Sequence, residues 1–132
     1  MKATGIIVVS HGRFAEGIMD AAKMIIGDID DVETLSIMEG EAPETFESRI
    51  ADCVATLHAG DEGILVLSDL PGASPANASL KVLGNRAVLV TGLNLGMLLE
   101  VLQARESNDA EELAAIAESS GRASIMKLRL QM

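Results

Sequence analysis

Three short, unbroken apolar runs, Ile6–Val9, Ile64–Leu67 and Ala87–Val90, constrain this chain more than any other feature. Four consecutive apolar residues without polar alternation read as a strand covered on both faces, the habit of parallel sheets sandwiched between helices. Each run exits into polar or glycine-bearing sequence. The first, within Gly5–Arg13, leads to Ser10-His11-Gly12-Arg13; the second to Ser68-Asp69; the third to Thr91-Gly92. In open parallel sheets ligand chemistry collects in the crevices outside such strand ends, so His11 and Asp69 stand where chemistry is usually done.

The segments between the runs have helical spacing. Phe14, Ile18, Ala21, Ala22 and Ile25 recur on one face, and Gly27 supplies a left-handed C-terminal position. Val32–Ile37 is a weaker strand. Pro43 opens a second helix with a stripe of Phe46, Ile50, Cys53, Val54 and Leu57, closed by Gly60. Ser74-Pro75 reads as N-cap plus first helical residue of a short helix reaching Gly84. Asn94 is placed to cap a helix carrying Leu95, Leu98, Leu99 and Leu102. Ser107–Asp109 opens a fifth helix with Leu113, Ile116 and Ala117, ending near Gly121.

Met126, Leu128 and Leu130 alternate instead with Lys127, Arg129 and Gln131, the pattern of a half-exposed edge strand. With no repeat, low-complexity tract or linker, the expectation is one α/β domain over residues 1–132. It would hold an open, mostly parallel sheet with helices on both faces and an antiparallel C-terminal edge strand. With the second strand on one side of the first and the third on the other, the switch point lies between strands one and three, and His11 faces Asp69.

At 132 residues the chain is long enough to bury a core without disulfides or a structural metal. Its net charge of −10 excludes the Lys/Arg clustering that nucleic acid or an anionic membrane rewards. No apolar run approaches a membrane span, no secretory pattern opens the chain, and the single cysteine has no internal partner. The expected location is cytoplasmic. Cys53 lies on an apolar helix face and reads as a buried small hydrophobe. His58, near a helix end, reads as a favourable partner of the helix dipole.

A histidine beside a carboxylate is a general device: the carboxylate accepts from Nδ1–H and leaves Nε2 with a free lone pair. The Ser74-Pro75 helix start adds unpaired N–H groups for an anion, and the combination suggests phosphate. Ser74 reads equally as a phosphate ligand or a plain cap, Arg13 as a phosphate counter-charge or a solvated residue, and Asn77 as a site wall or a helix-surface residue. No phosphate loop, dinucleotide fingerprint or zinc spacing is present, and the acidic pocket of a receiver-type phosphoacceptor is replaced by Ser10-His11.

At these residues the sequence resembles the IIA component of the mannose (mannose/fructose/sorbose) family of the sugar phosphotransferase system. The matching motifs are Val8–Gly12 with Ala15 and Gly17, Asp69…Gly72-Ala73-Ser74-Pro75…Asn77, and Gly92-Leu93-Asn94-Leu95 followed by Met97-Leu98. Ala73 stands where a second glycine is usual, and Gly96 where proline is frequent. The resemblance implies a phosphocarrier whose His11 takes a phosphoryl group on Nε2 from HPr and passes it to a IIB component. Asp69 would orient the ring; Gly72, Ala73 and Ser74 would hold the phosphoryl oxygens; Arg13, Asn77 and Asn94 would form the wall or partner contact. It further implies a homodimer exchanging the C-terminal strand, association through IIB with membrane IIC and IID components, and no metal or organic cofactor. Two other readings are a phosphorylation-dependent regulatory module of the same fold and a small phosphohydrolase using the His11–Asp69 pair.

Overall fold

The computed structural model describes residues 4–57 and 63–131. Four strands, β1 (Gly5–His11), β2 (Val32–Ile37), β3 (Ile64–Ser68) and β4 (Ala87–Thr91), form one sheet in the order β2-β1-β3-β4. All pairings are parallel, with Ile6 opposite Val32 and Leu65, and Leu65 opposite Val88. Helices α1 (Phe14–Ile26), α2 (Pro43–Val54), α3 (Ser74–Leu83), α4 (Leu95–Ala104) and α5 (Ala110–Ala123) complete the described elements.

The period-2 alternation of strand side chains divides the core into two layers. Ile6, Val8, Leu65 and Leu67 pack beneath α1, α4 and α5 with Ala15, Ile18, Met97, Leu98 and Leu113. Ile7, Val9, Ile64 and Val66 pack beneath α2 and α3 with Phe46, Ile50 and Leu83. Strand β1 is central and covered on both faces, which is why its run tolerates no polar residue before Ser10.

Several local expectations shift. Helix α1 buries Ala15, Ile18, Met19 and Ala22, leaving Phe14 and Ile25 at the rim, because its contact face is rotated toward the smaller residues. Helix α2 stops at Val54, where the Thr56 hydroxyl donates to the Cys53 carbonyl at 2.8 Å; Leu57 is buried beyond the helix, while Gly60 and His58 lie outside the described residues. Gly121 does not end α5. A Cβ there would stand 2.6 Å from Met97 Cε, so this glycine serves the close approach of α4 and α5.

The expected C-terminal strand is not formed within the chain. Residues 125–131 pair with no strand, and Met126, Leu128 and Leu130 are exposed. Alternation specifies the two faces a strand would have, but a strand exists only where another edge supplies its hydrogen bonds. The outer edge of β4 remains without a neighbouring strand among the described residues.

At the end of the sheet remote from His11, the guanidinium of buried Arg105 donates to the carbonyls of Thr4 (2.8 Å), Asp30 (2.9 Å) and Asp31 (3.0 Å). It ties the start of β1 and the α1–β2 loop to the end of α4. Replacing it leaves three carbonyls short of a donor, so Arg105→Ala is expected to lose about 2–4 kcal/mol in urea unfolding at neutral pH. A loss below about 0.5 kcal/mol would mean that water replaces the guanidinium at no cost.

Candidate functional site

Strand β1 ends at His11, and Gly12, at φ 54°, turns the chain through left-handed backbone that disfavours a Cβ. The Gly12 N–H donates to Ile37 O at 2.9 Å, tying the turn to the end of β2. Strand β3 lies on the other side of β1, so the residue after it, Asp69, arrives beside His11. This is the switch point of the sheet, where the crossovers from β1 and β3 part to opposite faces.

Asp69 Oδ2 accepts the His11 backbone N–H at 2.9 Å and stands 2.8 Å from His11 Nδ1; Oδ1 accepts the Leu70 N–H at 2.9 Å. An ionised carboxylate only accepts, so in the neutral ring Nδ1 carries the proton and Nε2 keeps its lone pair. The Asp69 side chain is 16% exposed and the His11 side chain 48%: the carboxylate is recessed and the imidazole is open to solvent. Burial works to raise the Asp69 pKa. The hydrogen bonds from the His11 backbone and ring, the charge of that ring and the Leu70 N–H outweigh it and hold the carboxyl below its ordinary value.

The loop after Asp69 leads into α3. Gly72, at φ 68°, makes the turn, and its carbonyl accepts from Asn77 Nδ2 at 3.2 Å. Asn77 thus braces the loop. Ala73 rather than Ser74 is the N-cap of α3, with Ser74 and Pro75 inside its first turn. At φ −100° and ψ 169°, Ala73 has ordinary extended backbone, so this position needs no glycine. One residue further in, the Ser74 side chain no longer reaches back as a cap; it is exposed, with no hydrogen-bond partner among the described residues. The capping explanation for Ser74 therefore falls away, leaving a free hydroxyl beside first-turn N–H groups.

Arg13 occupies the N-cap position of α1, exposed and without a side-chain hydrogen bond among the described residues. Asn94 is committed elsewhere. It caps α4 through Met97 N (2.9 Å), donates to Gly121 O (3.0 Å) and accepts from Ser124 Oγ (3.1 Å), and it lines a groove along β4. Burial, reinforced by the charges of Glu33 and Asp52, pushes the Cys53 thiol up to about 11, consistent with its packing against the α2 core rather than with nucleophilic use. Among the described residues no cluster of His, Cys, Asp and Glu could hold a metal ion, and no helix is long and apolar enough to cross a membrane.

Sequence reasoning passed over the serines. Ser10, Ser36 and Ser68 are buried near the ends of three adjacent strands, and Ser10 Oγ accepts the Ala15 N–H at 2.8 Å, supplying the cap that Arg13 does not. A polar residue closing an otherwise apolar run is the available signal for Ser10 and Ser68; Ser36, inside the mixed run Val32–Ile37, carries no such signal. It also passed over the exposed apolar side chains next to the site elements, Phe14, Met38 and Leu70.

Fold and site together define a class: a parallel α/β protein presenting a carboxylate-oriented histidine at the switch point of its sheet. The family model described as PTS system fructose IIA component (EIIA-man) matches residues 5–118, and the chain belongs to that family. It is 31% identical over 127 residues to the PTS system mannose-specific EIIAB component of Escherichia coli strain K12, covering 94% of this chain but 39% of that protein. It is 28% identical over 103 residues to the PTS system fructose-specific EIIA component of Bacillus subtilis strain 168, covering 76% of this chain and 70% of that one. The mannose/sorbose-specific IIA subunit from Enterococcus faecalis superposes with a TM-score of 0.88 at 29% identity over 100% of this chain and 98% of that one. The IIA protein associated with the fucose utilization operon of Streptococcus pneumoniae gives 0.81 at 32% identity, covering 96% of each.

A carboxyl held below its ordinary pKa stabilises the fold above its unfolded pKa, near 4, and loses that contribution as pH falls through the folded value. Urea unfolding of the parent and of Asp69→Asn from pH 7 to pH 3 should therefore converge toward the acid end. A constant difference across the range would show that the Asp69 charge has no part in holding the His11 turn.

Proposed function

We propose that this chain is a histidine phosphocarrier of a sugar phosphotransferase system. HPr is the donor and a IIB component the acceptor, working in the cytoplasm with membrane IIC and IID components beyond. The observation that carries the reading is the His11–Asp69 pairing, which leaves Nε2 of a half-exposed ring as the nucleophilic atom. In the forward step the Nε2 lone pair attacks phosphorus on the donor's phosphohistidine. The N–P bond to the donor breaks, and its electron pair returns to the donor ring. The His11 ring becomes imidazolium-like, and the Asp69 carboxylate steadies it through Nδ1–H. The second step repeats this chemistry with the acceptor as nucleophile.

Ser74 and the first-turn N–H groups of α3 suit the phosphoryl oxygens, and the Gly72-Ala73 turn sets their approach. Arg13, at the start of α1, is a counter-charge for the phosphoryl group, and Asn77 holds the loop. A group handed between proteins needs an open site, and His11 is exposed accordingly. Which sugar is carried lies with the membrane components.

The homodimer belongs to the same proposal. Among the described residues no strand pairs with the outer edge of β4, beside a groove of about 640 Å³ lined by residues such as Val88, Val90, Ala114 and Ile125. The apolar side of residues 125–131 of a second copy fits such an edge.

Four measurements test the reading. Incubation with phosphoenolpyruvate, enzyme I and HPr should add one phosphoryl mass, acid-labile and alkali-stable, abolished in His11→Ala and retained in His58→Ala. Label passing to a IIB protein supports transport. Label retained despite that acceptor indicates a regulatory module, and its release as inorganic phosphate a hydrolase. Asp69→Asn offers Nδ1 an amide N–H and favours the tautomer whose Nε2 is protonated, so quench-flow transfer from HPr should slow by somewhere between about ten- and ten-thousand-fold. An unchanged rate would reduce Asp69 to a turn residue. Deleting residues 124–132 should convert a dimer to monomer in sedimentation; a parent already monomeric, or a truncation that stays dimeric, would sink the exchange.

A further inference from the structure

Two buried serines stand side by side just before the candidate site: Ser10 of β1 lies opposite Ser36 of β2. Both grip the first turn of α1. Ser10 Oγ accepts the Ala15 N–H at 2.8 Å. The Ser36 hydroxyl donates to the Glu16 carboxylate, reaching Oε2 at 2.8 Å and also contacting Oε1. From the other side, Arg49 Nη1 donates to the Ser36 carbonyl at 3.0 Å while holding Glu41 at 2.8 Å, and Glu41 accepts the Met38 N–H at 3.2 Å.

Only Gly12 and Arg13 separate His11 from α1. Wherever the first turn of α1 is set, the imidazole is set with it. Among the described residues no cation pairs with Glu16; its carboxylate is held by a neutral hydroxyl that a purely apolar strand would not carry, since burying a hydroxyl without need costs stability. An arrangement of this kind contributes placement more than stability.

We propose that Glu16 and Ser36 are positioning residues for His11. They lock the start of α1 to the end of β2, so that Nε2 faces outward along the line of phosphoryl attack. The proposal rests on reading His11 as the phosphoryl acceptor.

The test uses the full chain and the variants Ser36→Ala, Glu16→Ala, Glu16→Gln and the double alanine variant. Ser36→Cys, of similar shape and a weak donor, is added should an alanine variant fold poorly. Two readouts are taken: ¹⁵N resonances of the His11 imidazole without any partner, and single-turnover transfer from phosphorylated HPr. Each alanine variant should slow maximal transfer by about ten- to a hundredfold, the scale of a misplaced reacting group, with the half-saturating HPr concentration changed less than about twofold. The double variant should be no slower than the singles, as two halves of one contact behave. The Glu16→Gln amide oxygen still accepts from Ser36, so this variant should keep the rate within about threefold. The alanine variants should also shift the His11 ring resonances. Parental rates with unmoved resonances overturn the proposal; so does a Glu16→Gln loss as large as that of Glu16→Ala, which would assign the effect to charge. A parent chain that takes no label at all refutes the phosphocarrier reading, while the imidazole resonances still decide whether the pair positions the ring.

Discussion

The His11 turn depends on one oxygen. Asp69 Oδ2 takes the backbone N–H and the ring Nδ1 side of the same residue, at 2.9 and 2.8 Å, so ring and backbone are referred to a single point. A hydroxyl in that place could turn and donate; a carboxylate accepts only, and so fixes both the orientation of the ring and its tautomer. Asp69 is itself held from behind by the Leu70 N–H. The arrangement exists only because β1 and β3 are neighbours, a consequence of the sheet order and not of anything local to either loop.

Around this point the chain uses glycine where geometry demands it. Gly12 and Gly72 both have positive φ and make the two turns that bring histidine and aspartate loops together. Ala73 sits in extended backbone and needs no such freedom. Gly96 has a different reason. A Cβ there would stand 2.5 Å from Ser124 Oγ, so its absence lets the end of α5 lie against the start of α4. That contact, with Asn94 bonded to Gly121 and Ser124, fixes where residues 125–131 leave the body of the chain, beside the outer edge of β4.

The His11 end and the remote end of the sheet are held by different physics. At the remote end a buried guanidinium gathers three backbone carbonyls and stabilises the junction of three segments. At the His11 end the contacts are hydroxyl to carboxylate and carboxylate to N–H, contacts suited to setting the direction of a half-exposed ring. The carboxylate contacts also stabilise the turn at neutral pH, and together these contacts set the direction of the ring.

The sequence by itself determined the parallel α/β class, the strand cores and the placement of His11 and Asp69 at strand ends, because an unbroken apolar run of four residues has few other ways to be buried on both faces. It also showed the Asn94 cap and the left-handed glycine closing α1 at Gly27, which are local events. The tertiary structure alone decided what depends on distance in sequence. It moved the α3 cap from Ser74 to Ala73, freeing the serine hydroxyl, and committed Asn94 to the α4–α5 junction. It set Ser36 against Glu16, 20 residues apart. It left the alternating C-terminal segment without a strand partner, since a periodicity encodes the faces of a strand while its hydrogen bonds belong to whichever edge it meets.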